Sequence, residues 1–94
     1  MGLRLGEQMM SFHVYLLRSR KDHGFYIGQT QDLAKRLAQH NAGQVMSTRG
    51  RIPLDLVGSE EYKTRDEARF REFDVKHHSD KKKVFTAKLI SGQD

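Results

Sequence analysis

Two short apolar segments, each carrying a tyrosine, are followed at once by the pattern of a basic amphipathic helix. The first segment holds Tyr15 and the second holds Tyr26, with a polar stretch containing Asp22 and Gly24 between them. Apolar runs joined by turn-forming residues are typical of a β-hairpin. Because facing strands bring side chains together, we expect the two phenols to lie near each other. The stretch from Tyr15 to His40 therefore limits the choice of fold more than any other.

The hairpin pattern predicts a first strand at residues 12–19 and a short second strand at residues 25–28. On the first strand, Val14 and Leu16 fall on one face and Tyr15 falls on the other. Both faces are partly apolar, which indicates a strand covered on both sides.

The helix after the hairpin carries two leucines and two candidate functional side chains. Leu33 and Leu37 form a predicted buried stripe, while Arg36 and His40 lie one turn apart on a single face at its edge. We expect Thr30 or Asp32 to be the N-cap of this helix and Gly43 to terminate it. The pattern thus places a guanidinium and an imidazole beside the two phenols.

The second half of the chain predicts one more strand and two helices. Residues 54–62 have the pattern of a third strand, and Thr64 with Glu67 forms a capping box that opens the next helix. That helix has two stripes, one formed by Phe70, Phe73 and His77 and the other by Ala68, Glu72 and Val75. A last basic helix is expected at residues 80–90.

Size and composition favour one intracellular domain. The chain has 94 residues and no cysteine, which excludes a disulfide framework and a thiolate metal site. We expect a flexible leader at residues 1–11, with the natural start at Met1, Met9 or Met10, a domain at residues 12–90 and a disordered tail at residues 91–94. No apolar run is long enough to cross a membrane, so a cytoplasmic location is expected.

The formal net charge of +5 points to a polyanionic partner or, alternatively, to a solubilising surface. The candidate side chains also have ordinary explanations when each is taken alone. Tyrosines are common in strands, His40 suits a helix C-terminus, and Glu72 can pair with Lys76 one turn later. The functional interpretation depends on the set. Phosphodiester cleavage needs a base for water, a cation for developing charge and, in most cases, a carboxylate-bound metal.

The spacing of this set resembles the GIY-YIG nuclease domain. Val14-Tyr15, ten intervening residues, Tyr26-Ile27-Gly28, then Arg36, His40 and a later Glu72 carry the resemblance, which covers residues 12–84. Arg36-Leu37-Ala38-Gln39-His40-Asn41 and Thr48-Arg49-Gly50-Arg51 are most similar to the small stand-alone bacterial (YhbQ-like) group. The resemblance implies an α/β (α+β) fold with a central three-stranded antiparallel sheet flanked by helices. It also implies metal-dependent cleavage of DNA.

The resemblance assigns an expected role to each matching residue. Tyr15 is the general base, Tyr26 positions the water or phosphate, and Arg36 stabilises the phosphoryl group. His40 assists the tyrosine. Glu72 binds one divalent cation, Mg²⁺ or Mn²⁺, with Glu67 as the next candidate if Glu72 faces away. Gly28 allows a close approach of the backbone.

Two positions depart from the family pattern. His13-Val14 stands where the family name has Gly-Ile, and no late asparagine exists because the last one is Asn41. The second departure bears on the completeness of the active site and leaves the fold expectation intact.

DNA is the expected partner, and a further protein partner would supply specificity, because the chain has no separate DNA-binding domain. Five cations are candidate contacts to the DNA backbone: Arg18, Lys35, Arg49, Arg51 and Lys76. Two alternatives stay open. One is a non-enzymatic nucleic-acid-binding module, and the other is an interaction module of a repair complex that exposes Phe70 and Phe73.

Overall fold

The computed structural model describes residues 11–92, which form an antiparallel sheet with helices on both of its faces. The elements in chain order are β1 (Phe12–Ser19), β2 (Phe25–Thr30), α1 (Leu33–Asn41), a short 3₁₀ turn (Arg49–Arg51), β3 (Leu54–Tyr62), α2 (Arg65–His77) and α3 (Ser79–Ser91). The predicted α/β architecture with a three-stranded antiparallel sheet is confirmed. The predicted leader, residues 1–11, lies outside the described residues except for Ser11. Positions 93–94 of the predicted tail also lie outside them. Ser91, placed in the predicted tail, is the last residue of α3.

The sheet has the order β2-β1-β3, so β1 is the central strand. Tyr15 pairs with Gly28 in β2 and with Ser59 in β3. Strand β2 extends two residues beyond the predicted end, because Gln29 and Thr30 continue the pairing with β1. These two polar residues carry no apolar signal, and only the pairing with the central strand makes them extended.

Alternation along β1 divides the core into two clusters. Val14 and Leu16 pack against α2 and α3, in a cluster that includes Ala68, Val75 and Phe85. Tyr15 and Leu17 lie on the other face, where Leu54, Leu33 and Leu37 surround them. The prediction that the first strand is covered on both sides is confirmed. Burial of each large apolar side chain contributes about 1.5–3 kcal/mol.

Helix α1 begins and ends where the capping signals predict. Asp32 is its N-cap, and the carboxylate accepts a 3.0 Å hydrogen bond from the Lys35 amide. Gly43 has a φ of +77°, a left-handed conformation that glycine adopts without strain, just after the helix. Local sequence therefore fixes the segment that carries Arg36 and His40.

Helix α2 buries the stripe with the smaller side chains. Its capping box is present as predicted, with the Glu67 amide donating to Thr64 Oγ1 at 3.1 Å. Ala68 and Val75 are fully buried, whereas Phe70 and Phe73 are 70% and 56% exposed. Small side chains let the helix backbone approach the sheet closely, so the aromatic stripe faces outward.

Candidate active site

Tyr15 lies at the centre of a hydrogen-bonded cluster between β1 and α1. Its hydroxyl is 2.9 Å from Nε2 of His40, and Nε of Arg36 donates to the same oxygen at 3.4 Å. The Tyr15 side chain is 2% exposed. Sheet and helix thus bring together three of the residues that the sequence predicts to share a site.

His40 is completely buried, rather than lying at the edge of the buried stripe as predicted. The cause is Thr48, also completely buried, whose Oγ1 is 2.7 Å from Nδ1 of His40. Thr48 comes from the loop before the 3₁₀ turn and closes over the ring. Helical spacing within α1 does not reveal a cover supplied by a later loop.

The hydrogen bonds around His40 have one consistent direction. Burial raises the pKa of Tyr15 above its ordinary value of 10.0, so at neutral pH the phenol is protonated and needs an acceptor. Since Arg36 is a donor, the phenol donates to Nε2 of His40. A neutral His40 then carries its proton on Nδ1 and donates to Thr48, whose hydroxyl donates to the Val45 carbonyl oxygen at 3.5 Å. The chain of bonds leaves no polar atom of the three side chains without a partner.

Burial and the charge of Arg36 keep the Tyr15 phenol and the His40 imidazole neutral in the free protein. Burial, followed by the positive charge of Arg36, lowers the pKa of His40 below its ordinary value of 6.5. For Tyr15, burial raises the pKa most and the Arg36 hydrogen bond opposes it, while Tyr26 and, least of all, the negative charge of Glu72 add to the rise. A change in charge at Glu72 is therefore felt at the Tyr15 hydroxyl.

Tyr26 lies beside the same cluster and is less buried than Tyr15. Its ring centroid is 6.4 Å from that of Tyr15 and 5.1 Å from that of His40. The predicted proximity of the two phenols is present. On the outer side of the Tyr26 ring, Nζ of Lys76 lies 5.7 Å from the centroid.

Glu72 projects from the edge of α2 that faces the tyrosines. One carboxylate oxygen accepts a 2.7 Å hydrogen bond from Nζ of Lys76, and the side chain is 22% exposed. The same Nζ lies against the ring of Tyr26, so the carboxylate is on the side of α2 next to the tyrosines. Glu67, the reserve candidate, is instead held in the capping box by the Thr64 amide.

The donor set suits a loosely held divalent cation and no more. Within residues 11–92, no three His, Asp or Glu side chains come together as a ready-made metal cage. A single carboxylate, completed by waters and a substrate phosphate, is a usual arrangement for Mg²⁺. Glu72 fits that role if its carboxylate releases Lys76 and binds the metal ion instead.

Arg36 opens onto a polar groove of about 360 Å³ beside α1. Three cations line it, Lys35, Arg36 and Arg65, together with a few uncharged polar side chains and Asp32. Of the predicted DNA contacts, Lys35 thus lies in the groove next to the cluster. Lys76 lies beside Tyr26.

The other three predicted contacts lie elsewhere. Arg51 forms an ion pair with Asp22 at 2.8 Å and so supports the hairpin turn. Arg18 lies over the Phe25 ring at 5.3 Å, on the sheet face opposite Tyr15. Arg49 is an exposed residue of the 3₁₀ turn. The structure does not bring these three side chains into the cluster.

Residues 11–84 match the GIY-YIG catalytic domain. The chain belongs to the GIY-YIG family. UPF0213 protein SSP2268 of Staphylococcus saprophyticus is 38% identical over 84 residues, which cover 88% of this chain and 98% of that protein. UPF0213 protein HQ_3675A of Haloquadratum walsbyi is 37% identical over 76 residues, covering 80% of this chain and 85% of that protein.

The solution structure of UPF0213 protein BH0048 from Bacillus halodurans has the same fold. It is 36% identical, with a TM-score of 0.54 and 88% coverage of both chains. The predicted membership in a group of small stand-alone GIY-YIG proteins is confirmed, because the relatives match over nearly their whole length. Among the described residues, no helix is long and apolar enough to span a membrane.

Within this GIY-YIG domain, Thr48 is the contributor that sequence reasoning missed. The motif Thr48-Arg49-Gly50-Arg51 is part of the resemblance, yet its threonine carries no expected role there. A single threonine between Ser47 and Arg49 that must be buried gives little signal in one sequence. The pairing with His40 becomes visible only when the loop is folded back on α1.

Proposed function

We propose that this GIY-YIG domain is a metal-dependent DNA endonuclease or nickase that hydrolyses phosphodiester bonds. One observation carries the proposal: the Tyr15 hydroxyl is shared between Nε2 of His40 and Nε of Arg36. A phenol that can pass its proton to an imidazole while a guanidinium stabilises the oxygen is equipped to take a proton from water.

Tyr15 acts as the general base in this proposal, and His40 is the final proton acceptor. As the Tyr15 oxygen takes a proton from the attacking water, its own proton moves to Nε2 of His40. The imidazolium forms beside the negative phosphodiester, which offsets the burial cost of its charge. Thr48 holds the ring so that Nε2 faces the phenol, and it therefore acts as a positioning residue.

Arg36 and Tyr26 act on the phosphate. Arg36 lies between the Tyr15 oxygen and the open groove, so its guanidinium can stabilise negative charge on a phosphate that enters there. The less buried phenol of Tyr26 positions the water or a phosphate oxygen from the opposite side. Both side chains stabilise charge that develops only during the reaction, which is where stabilisation speeds catalysis.

Glu72 would hold the divalent cation, Mg²⁺ or Mn²⁺. When bound, such a cation neutralises phosphate charge and lowers the pKa of a water molecule. Lys76, released from Glu72, is then placed to contact the DNA backbone. Lys35 in the groove is the second backbone contact that the structure supports, while Arg18 and Arg49 remain candidates at a distance from the cluster.

The proposed setting is DNA repair or processing in the cytoplasm. The positive net charge suits a DNA substrate, and the small domain has few surfaces with which to read bases. Sequence choice would come from DNA shape or from a protein partner.

Nicking of supercoiled plasmid with Mg²⁺ or Mn²⁺ tests this proposal. The wild type should nick only with metal, and Tyr15→Phe and Glu72→Gln should each lose at least about 100-fold of the rate, as expected for a general base and a metal ligand. Glu61→Gln is the matched control, because Glu61 is exposed on the neighbouring strand β3. Unfolding curves of all variants should establish that folding is intact.

Two results would contradict the nuclease proposal. One is no nicking by the wild type with either metal, and the other is equal nicking by the wild type and both variants, which indicates a contaminant. The first result, together with salt-sensitive DNA binding, would favour the alternative of a non-enzymatic binding module. The pairing of Glu72 with Lys76 and the absence of a late asparagine are the observations that keep this alternative in view.

A further inference from the structure

The outward face of α2 carries two rings stacked on each other in solvent. The ring centroids of Phe73 and His77 are 4.0 Å apart with an interplanar angle of 24°. His77 is also fixed to the backbone, since its Nδ1 lies 2.8 Å from the carbonyl oxygen of Phe73. Phe73 nevertheless remains 56% exposed. The pair is thus an ordered flat surface that the fold of residues 11–92 leaves open.

The stacked pair continues a row of cations. Arg65, Arg69, Phe73 and His77 follow one another at intervals of four residues and so lie along one side of α2. We refer to these four residues as the α2 ridge. Arg65 also lines the polar groove that holds Arg36. The ridge therefore leads from the proposed active site to the exposed rings.

Lys76 adds a second link between the ridge and the site. It neighbours Phe73 on the helix surface, bonds to Glu72 and lies against the ring of Tyr26. Along this edge of α2, the residues that touch the proposed site and the residues that carry the stacked rings are less than one turn apart. An extended ligand that runs from the site along α2 would meet the cations first and the aromatic rings next.

This combination matches unpaired nucleic acid. Proteins hold single strands with a cationic track for the phosphates and exposed aromatic rings on which bases stack. A base in a duplex is covered on both faces by its neighbours and cannot stack on a protein ring. The cations Arg65, Arg69 and Lys76 beside Phe73 complement a phosphate backbone, whereas a protein-binding patch is typically depleted of charge at its centre.

We propose that the α2 ridge binds unpaired bases of a DNA strand whose backbone runs through the groove to Arg36. The inference rests on the proposed function for the path of the strand, and it makes the substrate a DNA with an unpaired segment, such as a flap or a branched end. The binding itself does not depend on cleavage.

Fluorescence anisotropy in EDTA measures this binding without any cleavage. The probes are a labelled thymidine oligonucleotide, an abasic oligonucleotide of equal length and a duplex. Phe73→Leu removes the ring and keeps an apolar side chain, and Phe73→Trp restores a ring. Phe70→Leu is the matched control: it is 70% exposed on the same helix but lies outside the ridge, one turn after Asp66.

We expect Phe73→Leu to weaken binding of the thymidine oligonucleotide about fivefold or more, which is the lower end for one base stacked on an aromatic ring. Binding of the abasic strand and of the duplex should be unchanged, Phe70→Leu should behave as the wild type, and Phe73→Trp should restore affinity. Equal affinity of Phe73→Leu and wild type for the thymidine oligonucleotide would overturn the proposal. So would an equal loss in Phe70→Leu, which would point to a general apolar surface for a protein partner.

The two proposals fail separately. A wild type that binds single strands through Phe73 but never nicks DNA would retain the α2 ridge and remove the nuclease proposal. If the wild type nicks plasmid and Phe73→Leu binds single strands normally, the nuclease proposal stands and the α2 ridge proposal falls.

Discussion

The hydroxyl of Tyr15 lies directly over Gly28, its partner in the neighbouring strand. A Cβ atom at Gly28 would come within 2.5 Å of the Tyr15 hydroxyl oxygen and 2.6 Å of the ring carbon that carries it. Distances this short do not occur between real atoms of this kind, so any side chain at Gly28 displaces the phenol. The glycine of the second motif therefore makes room for the tyrosine of the first.

Gly28→Ala should separate Tyr15 from His40 and destabilise the domain by about 1–3 kcal/mol, as overpacking of a tight site does. We expect plasmid nicking to fall at least tenfold, with unfolding in urea to measure the stability. Gly50→Ala is the matched control, because a Cβ at Gly50 meets no atom within 4 Å. Wild-type nicking and stability in Gly28→Ala would contradict the steric explanation.

Thr48→Val should weaken both the fold and the reaction. The change keeps the shape of the side chain but leaves Nδ1 of His40 buried without a partner, at a cost of about 1–3 kcal/mol. The ring then loses the contact that aims Nε2 at Tyr15, and the rate of nicking should fall more than the affinity for DNA. Thr48→Ser, which restores the hydroxyl, should recover the rate; a serine variant as slow as the valine variant would count against positioning by Thr48.

His40 should make stability depend on pH near neutrality. Burial and the charge of Arg36 lower the pKa of His40 in the folded protein below 6.5, so the unfolded chain binds the extra proton first. Stability from this group is complete above about pH 6.5 and falls as the pH drops below that value, by at most about 1.4 kcal/mol per pH unit. Urea unfolding between pH 8 and pH 5 measures the slope.

The matched comparison for His40 is with an exposed histidine. His40→Gln should lower stability overall and remove most of the slope between pH 6.5 and pH 5. His77→Gln, at an exposed position on α2, is the control for replacing an imidazole by an amide at the surface. An unchanged slope in His40→Gln would show that another group titrates in that range.

Glu60 should control stability in acid. Burial alone would raise its pKa, but the ion pairs with Arg71 and Lys88 outweigh burial and lower the pKa to about 2. Because the pKa is lower in the folded state, stability is present above about pH 4.5 and is lost as the pH falls towards 2, on the order of 2–3 kcal/mol in total. Glu60→Gln should lose that stability at neutral pH and show a flatter acid limb, while Glu61→Gln, on exposed β3 surface, should follow the wild type.

Local signals account for most of what the sequence predicts correctly. The capping box at Thr64 and the boundaries of α1 at Asp32 and Gly43 depend on neighbours a few residues away. The antiparallel pairing of β1 and β2 follows from the short turn that joins them. The approach of Tyr15 to Tyr26 then follows from strand pairing.

Long-range contacts account for the rest. Which stripe of α2 is buried depends on how closely the helix packs against the sheet. The helix sequence alone does not predict that Ala68 and Val75 are buried while Phe70 and Phe73 are exposed. The complete burial of His40 depends on Thr48, and the engagement of Arg51 depends on Asp22, which lies on the far side of α1 in the chain. No short window of sequence contains both members of these pairs.

Because β1 lies between two strands, the part of the cluster on β1 should open less often than the part on α1. The main chain at Tyr15 is paired on both sides, so its amide should exchange with heavy water only when the whole domain opens. Helix α1 is short, and His40 is its one buried residue, so this helix should open locally and exchange much sooner. Each such opening would carry the guanidinium and the imidazole away while the phenol stays in place. The domain would then alternate between an assembled and a dismantled cluster without unfolding, and deuterium uptake along α1 would report how often.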